Sequence, residues 1–305
     1  MKRHSISNDC KSHFLCRNEC LFPVFINKYI TPFYSTSTTD LMYYKSPFEL
    51  LNLLSHQLNI NINNISIHNG SECAIKSLIE VLIKESNNWV INNPTFEMID
   101  FYLNYYNSNI EKLDVNFINN KFSFTTEHIK QTKEKIIFLV SPHNPTGLIL
   151  NDDYIIKLCK KFKYVIIDQA YLNPMSPIIS IPNLILIRSF SKMGCITGQR
   201  FGFVYSSNES IIDDINQIRP MFLPSPTVKI LEYILKNNIT HKFDKYLKSI
   251  IYKRFKKYFQ DDILTIAGNF ILLKDKSEYK NYKVKEYTFN DLKCYRITLH
   301  DLTVL

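Results

Sequence analysis

The chain has 305 residues, 45% of them hydrophobic, and its 37 Lys and Arg against 28 Asp and Glu give a net charge of +9. That length and apolar content allow a large core and leave room for two domains. No stretch approaches the ~18 uninterrupted apolar residues of a membrane span, and the start MKRHSISNDCKSHFLC lacks the apolar run of about 7–15 residues found in secretory leaders, so a cytoplasmic protein that engages no membrane is expected.

The cysteines, Cys10, Cys16, Cys20, Cys73, Cys159, Cys195 and Cys294, are odd in number and scattered. Such usage argues for reduced thiols over a disulfide framework. Cys10, Cys16 and Cys20 cluster with His4 and His13, but the spacing matches no zinc-ligand pattern, and a polar leader without metal is expected there.

The first chemical signal along the chain is SIHNGSECAIKSLIEVLIK over residues 66–84. A short strand runs into Asn69, Gly70 and Ser71, after which Ile75, Leu78, Ile79, Leu82 and Ile83 recur at helical spacing. The helix is expected to begin near Ser71, with Ser71 as a cap, Gly70 allowing close backbone approach, and the first amides, Ser71 and Glu72 among them, facing an anion. A Gly-Ser helix start is by itself usually only a cap, and it gains weight as an anion site only from the lysine segment over 189–203. NNPTFEM over 92–98 then places Phe96 just after a proline turn.

Three apolar, β-branched runs come next: IIFLV (136–140), YVIID (164–168) and LILIRSF (184–190). Each reads as a buried strand of a parallel sheet. The first is followed by SPHNPTG with Asn144, the second ends in DQAY with Asp168 and Tyr171, and the third opens SFSKMGCITGQRFGF with Ser189, Ser191, Lys192 and Arg200. Polar groups at the carboxyl ends of consecutive parallel strands converge on one crevice, where open α/β sheets bind ligands.

A lysine flanked by two hydroxyls, with an arginine eight residues on, suits a phosphate-bearing aldehyde held as a Schiff base. Asp168, Asn144 and Tyr171 would then surround such a group with one carboxylate and two donors, and Lys192, once displaced, would be a free amine able to move a proton.

Downstream, Pro220, Pro224 and Pro226 mark a hinge or linker, and HKFDKYLKSIIYKRFKKYF (241–259) carries the densest positive charge. Phe243, Leu247, Ile250, Ile251, Phe255 and Phe259 fall on one helical stripe, so the lysines form a solvated face. No groove-reading motif accompanies them, and no nucleic-acid partner is expected.

The order N-P-T-G, D-x-A-Y and S-x-S-K, with an arginine eight residues after the lysine, resembles the fold-type I pyridoxal-phosphate enzymes. It is most like the histidinol-phosphate aminotransferase and threonine-phosphate decarboxylase group. The similarity spans residues 43–205 and resumes over 269–299. It implies that Lys192 carries the cofactor, that Asp168 pairs with the ring nitrogen, that Asn144 and Tyr171 bond the ring hydroxyl, and that Phe96 stacks on the ring. It also implies that Gly70, Ser71, Glu72, Ser189, Ser191 and Arg200 surround the phosphate, that Arg296 of CYRITLHD binds the substrate carboxylate, and that Tyr43 of DLMYYKSP, with Tyr44 competing, reaches the phosphate of a partner subunit in a homodimer.

The expected fold is a three-layer α/β/α large domain with a mainly parallel sheet over 41–210, and a shortened α+β small domain from 1–40 and 211–305. The expected activity is an aminotransferase acting on a small amino acid or amino-alcohol phosphate; a decarboxylase of a phosphorylated amino acid and a non-catalytic pyridoxal-phosphate fold are the alternatives. Two departures from the family touch substrate recognition. Residues 29–37 read YITPFYSTS where relatives carry N-x-N-E-N-P, and 219–228 read RPMFLPSPTV where they carry P-Y-N-V.

Overall fold

The computed structural model describes residues 19–130, 132–275 and 284–301. The chain begins with helices α1 (Pro23–Tyr29), α2 (Thr38–Met42) and α3 (Phe48–Leu58), followed by β1 (Ile65–His68), α4 (Ser71–Leu82), β2 (Asn88–Asn93), α5 (Glu97–Tyr105) and β3 (Asn109–Asp114). A hairpin of β4 (Asn116–Ile118) and β5 (Lys121–Ser123) leads to β6 (Ile136–Val140), α6 (Asp152–Lys161), β7 (Tyr164–Asp168), β8 (Leu184–Ser189) and β9 (Gly202–Ser206). Helices α7 (Glu209–Ile218), α8 (Ser225–Lys236), α9 (Ile239–Tyr246) and α10 (Tyr252–Phe259) precede β10 (Ile263–Ala267), β11 (Phe270–Lys274), β12 (Lys285–Phe289) and β13 (Leu292–Thr298).

Seven strands form the main sheet in the order β1-β9-β8-β7-β6-β2-β3. From β8 to β3 every neighbouring pair is parallel, whereas β9 runs antiparallel to both β8 and β1. The three apolar runs of the sequence are thus adjacent strands, β6, β7 and β8, as their lack of a polar face requires.

Alternate residues of these strands face opposite layers. Ile136, Phe138 and Val140 join Ile75, Leu78 and Ile79 of α4, Ile99 of α5 and Ile215 of α7. Ile137 and Leu139 point the other way, to Ile155 and Leu158 of α6, Leu50 and Leu54 of α3 and residues of α8. The result is three layers, α/β/α. The second cluster continues without a break into Ile271, Leu273 and Ile297 of a four-stranded antiparallel sheet, ordered β10-β11-β13-β12.

The basic segment is not one regular helix. Its buried positions are Phe243, Leu247, Ile251, Phe255 and Phe259, a repeat of four, while Ile250 is exposed. At 3.6 residues per turn a spacing of four drifts by roughly 40° per step. A π-helical turn over Leu247–Ile251, between α9 and α10, takes up part of that drift and keeps the stripe on the core.

Candidate active site

Because β6, β7 and β8 are parallel, the loops after them leave from one edge of the sheet. Backbone bonds tie those loops together: Ser141 N–H donates to the Asp168 carbonyl at 2.9 Å, and Gln169 N–H to the Ile187 carbonyl at 2.8 Å. Asn144 Nδ2 donates to the Tyr171 hydroxyl at 2.7 Å. The Asn144 Oδ1 accepts from Arg296 Nη1 at 2.8 Å, across 152 positions of sequence. Arg296 sits within β13 between β11 and β12, so the second sheet delivers the guanidinium to the edge of the first. Tyr287 of β12 accepts a longer bond, 3.4 Å, from the same Nη1, and burial pushes its phenol up to about 12. Tyr171 also meets the edge of Phe270 at 5.1 Å.

Asp168 ends β7 and is 4% exposed. Its Oδ1 accepts from the Ala170 N–H at 2.9 Å. Burial raises the carboxyl to about 6, and the single amide bond only partly opposes this. An ionised carboxylate in that position is stabilised by a cation or a strong donor.

Lys192 is half-buried. Burial first, then the positive charge of Arg296, lowers its amine to about 8, with Arg200 adding to the effect. A large share of this lysine is therefore neutral at mildly alkaline pH, the form a nucleophilic amine requires.

A cradle of small residues and donors surrounds Arg200, eight residues past Lys192. Gly70 has φ +89°, and a Cβ there would come within 2.8 Å of Arg200 Nη2. A Cβ on Gly202 would come equally close, 2.8 Å, to the Ser71 backbone nitrogen. Arg200 Nη1 donates to Ser191 Oγ at 3.1 Å, and Ser191 N–H donates to Ser189 Oγ at 3.1 Å. The amino end of α4, with the amides of Ser71 and Glu72, is thus brought against the Ser189, Ser191 and Arg200 loop. Ser71 does not cap the helix as expected. Gly70 is the N-cap, without a side-chain bond, and Ser71 is the first helical residue, because the positive φ required beside Arg200 puts the glycine in the boundary position.

Phe96 is the residue before α5 and is 39% exposed. Tyr43 follows α2 directly and is 66% exposed, its carbonyl accepting from Ser225 Oγ at 2.5 Å. Tyr44 stacks on Phe222 at 4.6 Å. Of the cysteine and histidine cluster, His4, Cys10, His13 and Cys16 lie outside the described residues; Cys20 is described, and its Sγ is 2.9 Å from Cys195 Sγ.

Two supporting residues carry no clear signal in the sequence. His143, buried between Pro142 and Asn144, has Nε2 2.7 Å from the Pro94 carbonyl and Nδ1 2.7 Å from Thr146 Oγ1. A carbonyl only accepts, so Nε2 bears the proton and Thr146 donates to Nδ1. Burial lowers the ring to about 4, which keeps it neutral. It ties the turn before Phe96 to the turn bearing Asn144. Arg188, fully buried on β8, donates to Gln169 Oε1 and to the carbonyls of Pro174, Ser176 and Pro177, holding the loop that carries Tyr171. The place of His143 within S-P-H-N-P is the one hint the sequence holds; the partners of Arg188 emerge only on folding.

Residues 33–293 match the model of the family described as aminotransferase class I and II. The chain belongs to the class I and II aminotransferases. A curated histidinol-phosphate aminotransferase of Buchnera aphidicola subsp. Schlechtendalia chinensis is 28% identical over 254 residues, covering 77% of this chain and 70% of that protein. Among solved structures, this aminotransferase-family fold is similar to the histidinol-phosphate aminotransferase of Clostridium acetobutylicum, with TM-score 0.72, 18% identity and 95% and 93% of the two chains covered. It is also similar to the L-threonine-O-3-phosphate decarboxylase of Porphyromonas gingivalis, with TM-score 0.66, 17% identity and 90% of each chain covered. The expected three-layer fold with a mainly parallel sheet is the one observed. No helix among the described residues is long and apolar enough to cross a membrane.

Proposed function

We propose that the protein is a pyridoxal-phosphate-dependent aminotransferase acting on a small amino acid or amino-alcohol phosphate, with Lys192 as the residue that carries the cofactor. The observation that carries this reading is the shared position of Asn144, bonded to both Tyr171 and Arg296, beside a buried Asp168 and a lysine of lowered basicity. The residues fit the cofactor. Asp168, whose Oδ1 accepts one amide, suits a protonated ring nitrogen, and the approach of Gly70 and Gly202 to Arg200 and Ser71 leaves bare amides and a guanidinium for a phosphate.

Bound there, pyridoxal phosphate would supply an electron-withdrawing ring for a negative charge at the substrate's α-carbon. Asp168 would hold the ring-nitrogen proton, while Asn144 and Tyr171 would orient the ring and donate to its hydroxyl. Gly70, Ser71, Glu72, Ser189, Ser191 and Arg200 would hold the phosphate. Phe96, kept in place through Pro94 and His143, would cover one ring face. Arg296 would bind the substrate carboxylate in a planar, two-bond contact that a lysine cannot reproduce. Lys192, near neutral charge balance, would take a proton from the α-carbon and return it elsewhere.

The same residues suit loss of CO₂, and which bond breaks is set by how the substrate is oriented. The proposal extends to a cytoplasmic homodimer in which Tyr43 reaches the partner's phosphate, and to a large domain over 41–210 with the remainder as the small domain. To test it, the purified chain is loaded with pyridoxal phosphate, reduced with borohydride and mapped by mass. Attachment at Lys192, then keto-acid formation from candidate amino acids, is expected. CO₂ without keto acid would select the decarboxylase, and no attachment at Lys192 would overturn the reading.

A further inference from the structure

Residues 19–22 form a strap tied to both sides of the site. On the lysine side, the Cys20 N–H donates to Thr197 Oγ1 at 2.9 Å, and that hydroxyl donates to the Ser191 carbonyl at 2.6 Å. On the other side, Asn269 Nδ2 donates to the Glu19 carbonyl at 3.1 Å. Asn269 belongs to the turn between β10 and β11, where a Cβ on Gly268 would press on Tyr171 at 3.0 Å. Leu21 pairs with His300, and Asp301 N–H donates to the Leu21 carbonyl at 3.2 Å. The strap therefore spans from the Lys192 loop to the Tyr171 side.

Within this crossing, Cys20 Sγ is 2.9 Å from Cys195 Sγ. That is within an ångström of the ~2.05 Å of a sulfur–sulfur bond. Cys195 lies three residues past Lys192, is buried, and has φ +61°; Cys20 is half-buried. The pair thus joins a half-buried thiol to a buried one.

We propose that Cys20 and Cys195 are a reversible redox modification site, joined by exchange with a low-molecular-weight disulfide, and that the cross-link pins residues 19–22 across Lys192. The Cys20 thiolate attacks the small disulfide R–S–S–R, giving a mixed disulfide and one thiolate RS⁻. Cys195 then loses its proton to solvent and attacks the Cys20 sulfur, expelling the second RS⁻. Two cysteine thiols are oxidised to one disulfide while R–S–S–R is reduced to two RSH. Burial, and then the adjacent Cys20, push the Cys195 thiol well above its usual range, so the second step is the slow one and quickens with rising pH. A disulfide of this kind in a reducing compartment is transient and responsive rather than structural.

The test uses the full chain treated with glutathione disulfide, blocked with iodoacetamide, and mapped as peptides without reduction. A Cys20–Cys195 linked peptide is expected, absent in Cys20→Ser and in Cys195→Ala and removed by dithiothreitol. In the linked form of the cofactor-free chain, trace acetylation of Lys192 by acetic anhydride should slow about tenfold, equivalent to ~1.4 kcal/mol of restraint on strap opening. Glutathione left on Cys20, or linkage of Cys20 to Cys10 or Cys16 instead, would overturn the pair. A linked peptide with unchanged Lys192 acetylation would overturn the pinning. Neither readout needs the cofactor or turnover, so failure here is distinct from failure of the aminotransferase reading.

Discussion

At Asp168 the folded chain holds a carboxyl raised to about 6 from an ordinary value of 3.8, with burial as the larger cause. The folded state therefore favours the protonated form. Its contribution to stability is complete below the unfolded value and is lost as pH rises through about 6, so ionised Asp168 weakens the cofactor-free protein at neutral pH. Asp168→Asn should make that protein more stable at pH 8 by on the order of 2 kcal/mol, with the advantage shrinking toward pH ~4, as urea unfolding at both pH values would show. On the proposed assignment, the same substitution should keep the cofactor and suppress turnover by ~100-fold or more, because an amide would not hold the ring-nitrogen proton. His143 has the opposite sign. Its ring is lowered to about 4 from 6.5, so its contribution is present above 6.5 and is lost as pH falls through about 4. His143→Leu strands the Thr146 hydroxyl and one of the bonds to the Pro94 carbonyl, at a cost of about 1–3 kcal/mol. If Phe96 is held through this histidine, the variant also releases cofactor more readily at pH 7, measurable by dialysis and absorbance.

Among the elements, the join between β1 and α4 tests the proposed phosphate cradle most directly. Gly70 combines φ +89° and ψ 162° with an Arg200 guanidinium where a Cβ would sit. Gly70→Ala should cost about 1–3 kcal/mol in backbone strain and displace Arg200 from Ser191, weakening cofactor affinity about tenfold or more in titration. The strands β6, β7 and β8 are legible in the sequence because strands buried on both faces read as unbroken apolar runs. Asn144, Asp168, Tyr171 and Lys192 are legible with them, each lying within a few residues of such a run. The reversed β9 and the path of β13 are not, since strand order depends on contacts far apart in sequence. The turn Leu247–Ile251 reads as regular helix in the sequence, because Ile250 and Ile251 are equally apolar and only packing selects Ile251. That turn leaves Tyr252 positioned to donate to the Gly268 carbonyl at 2.7 Å, above Tyr171. Tyr252→Phe should accordingly loosen the Gly268 turn by ~1 kcal/mol, seen as faster amide exchange at Gly268 and Asn269.

For the whole molecule, the largest question the described residues raise is the exposed apolar surface around α2. Leu41, Met42, Tyr43, Tyr44 and Phe48 are each more than 60% exposed, and Met221 beside them is 68% exposed. Contiguous apolar surface of this kind marks association sites, and it contains the tyrosine proposed to cross to a partner. If two subunits share each site, defects on different chains should complement one another. Lys192→Ala removes the lysine but keeps Tyr43, whereas Tyr43→Ala does the reverse. Tyr43→Ala alone should weaken cofactor affinity by roughly ten- to a hundredfold, since a hydrogen bond to a charged group contributes about 1.5–3 kcal/mol. After the two variants are unfolded together and refolded at equal concentration, half of randomly formed dimers are mixed, and each mixed dimer has one site with both residues intact. Roughly a quarter of all sites should then bind pyridoxal phosphate with native affinity and become fixed to Lys192 by borohydride. A chain that sediments as a monomer, or a mixture whose tight sites do not exceed those of the separate variants, would remove both the homodimer and the role given to Tyr43, while leaving the assignment of Lys192 intact.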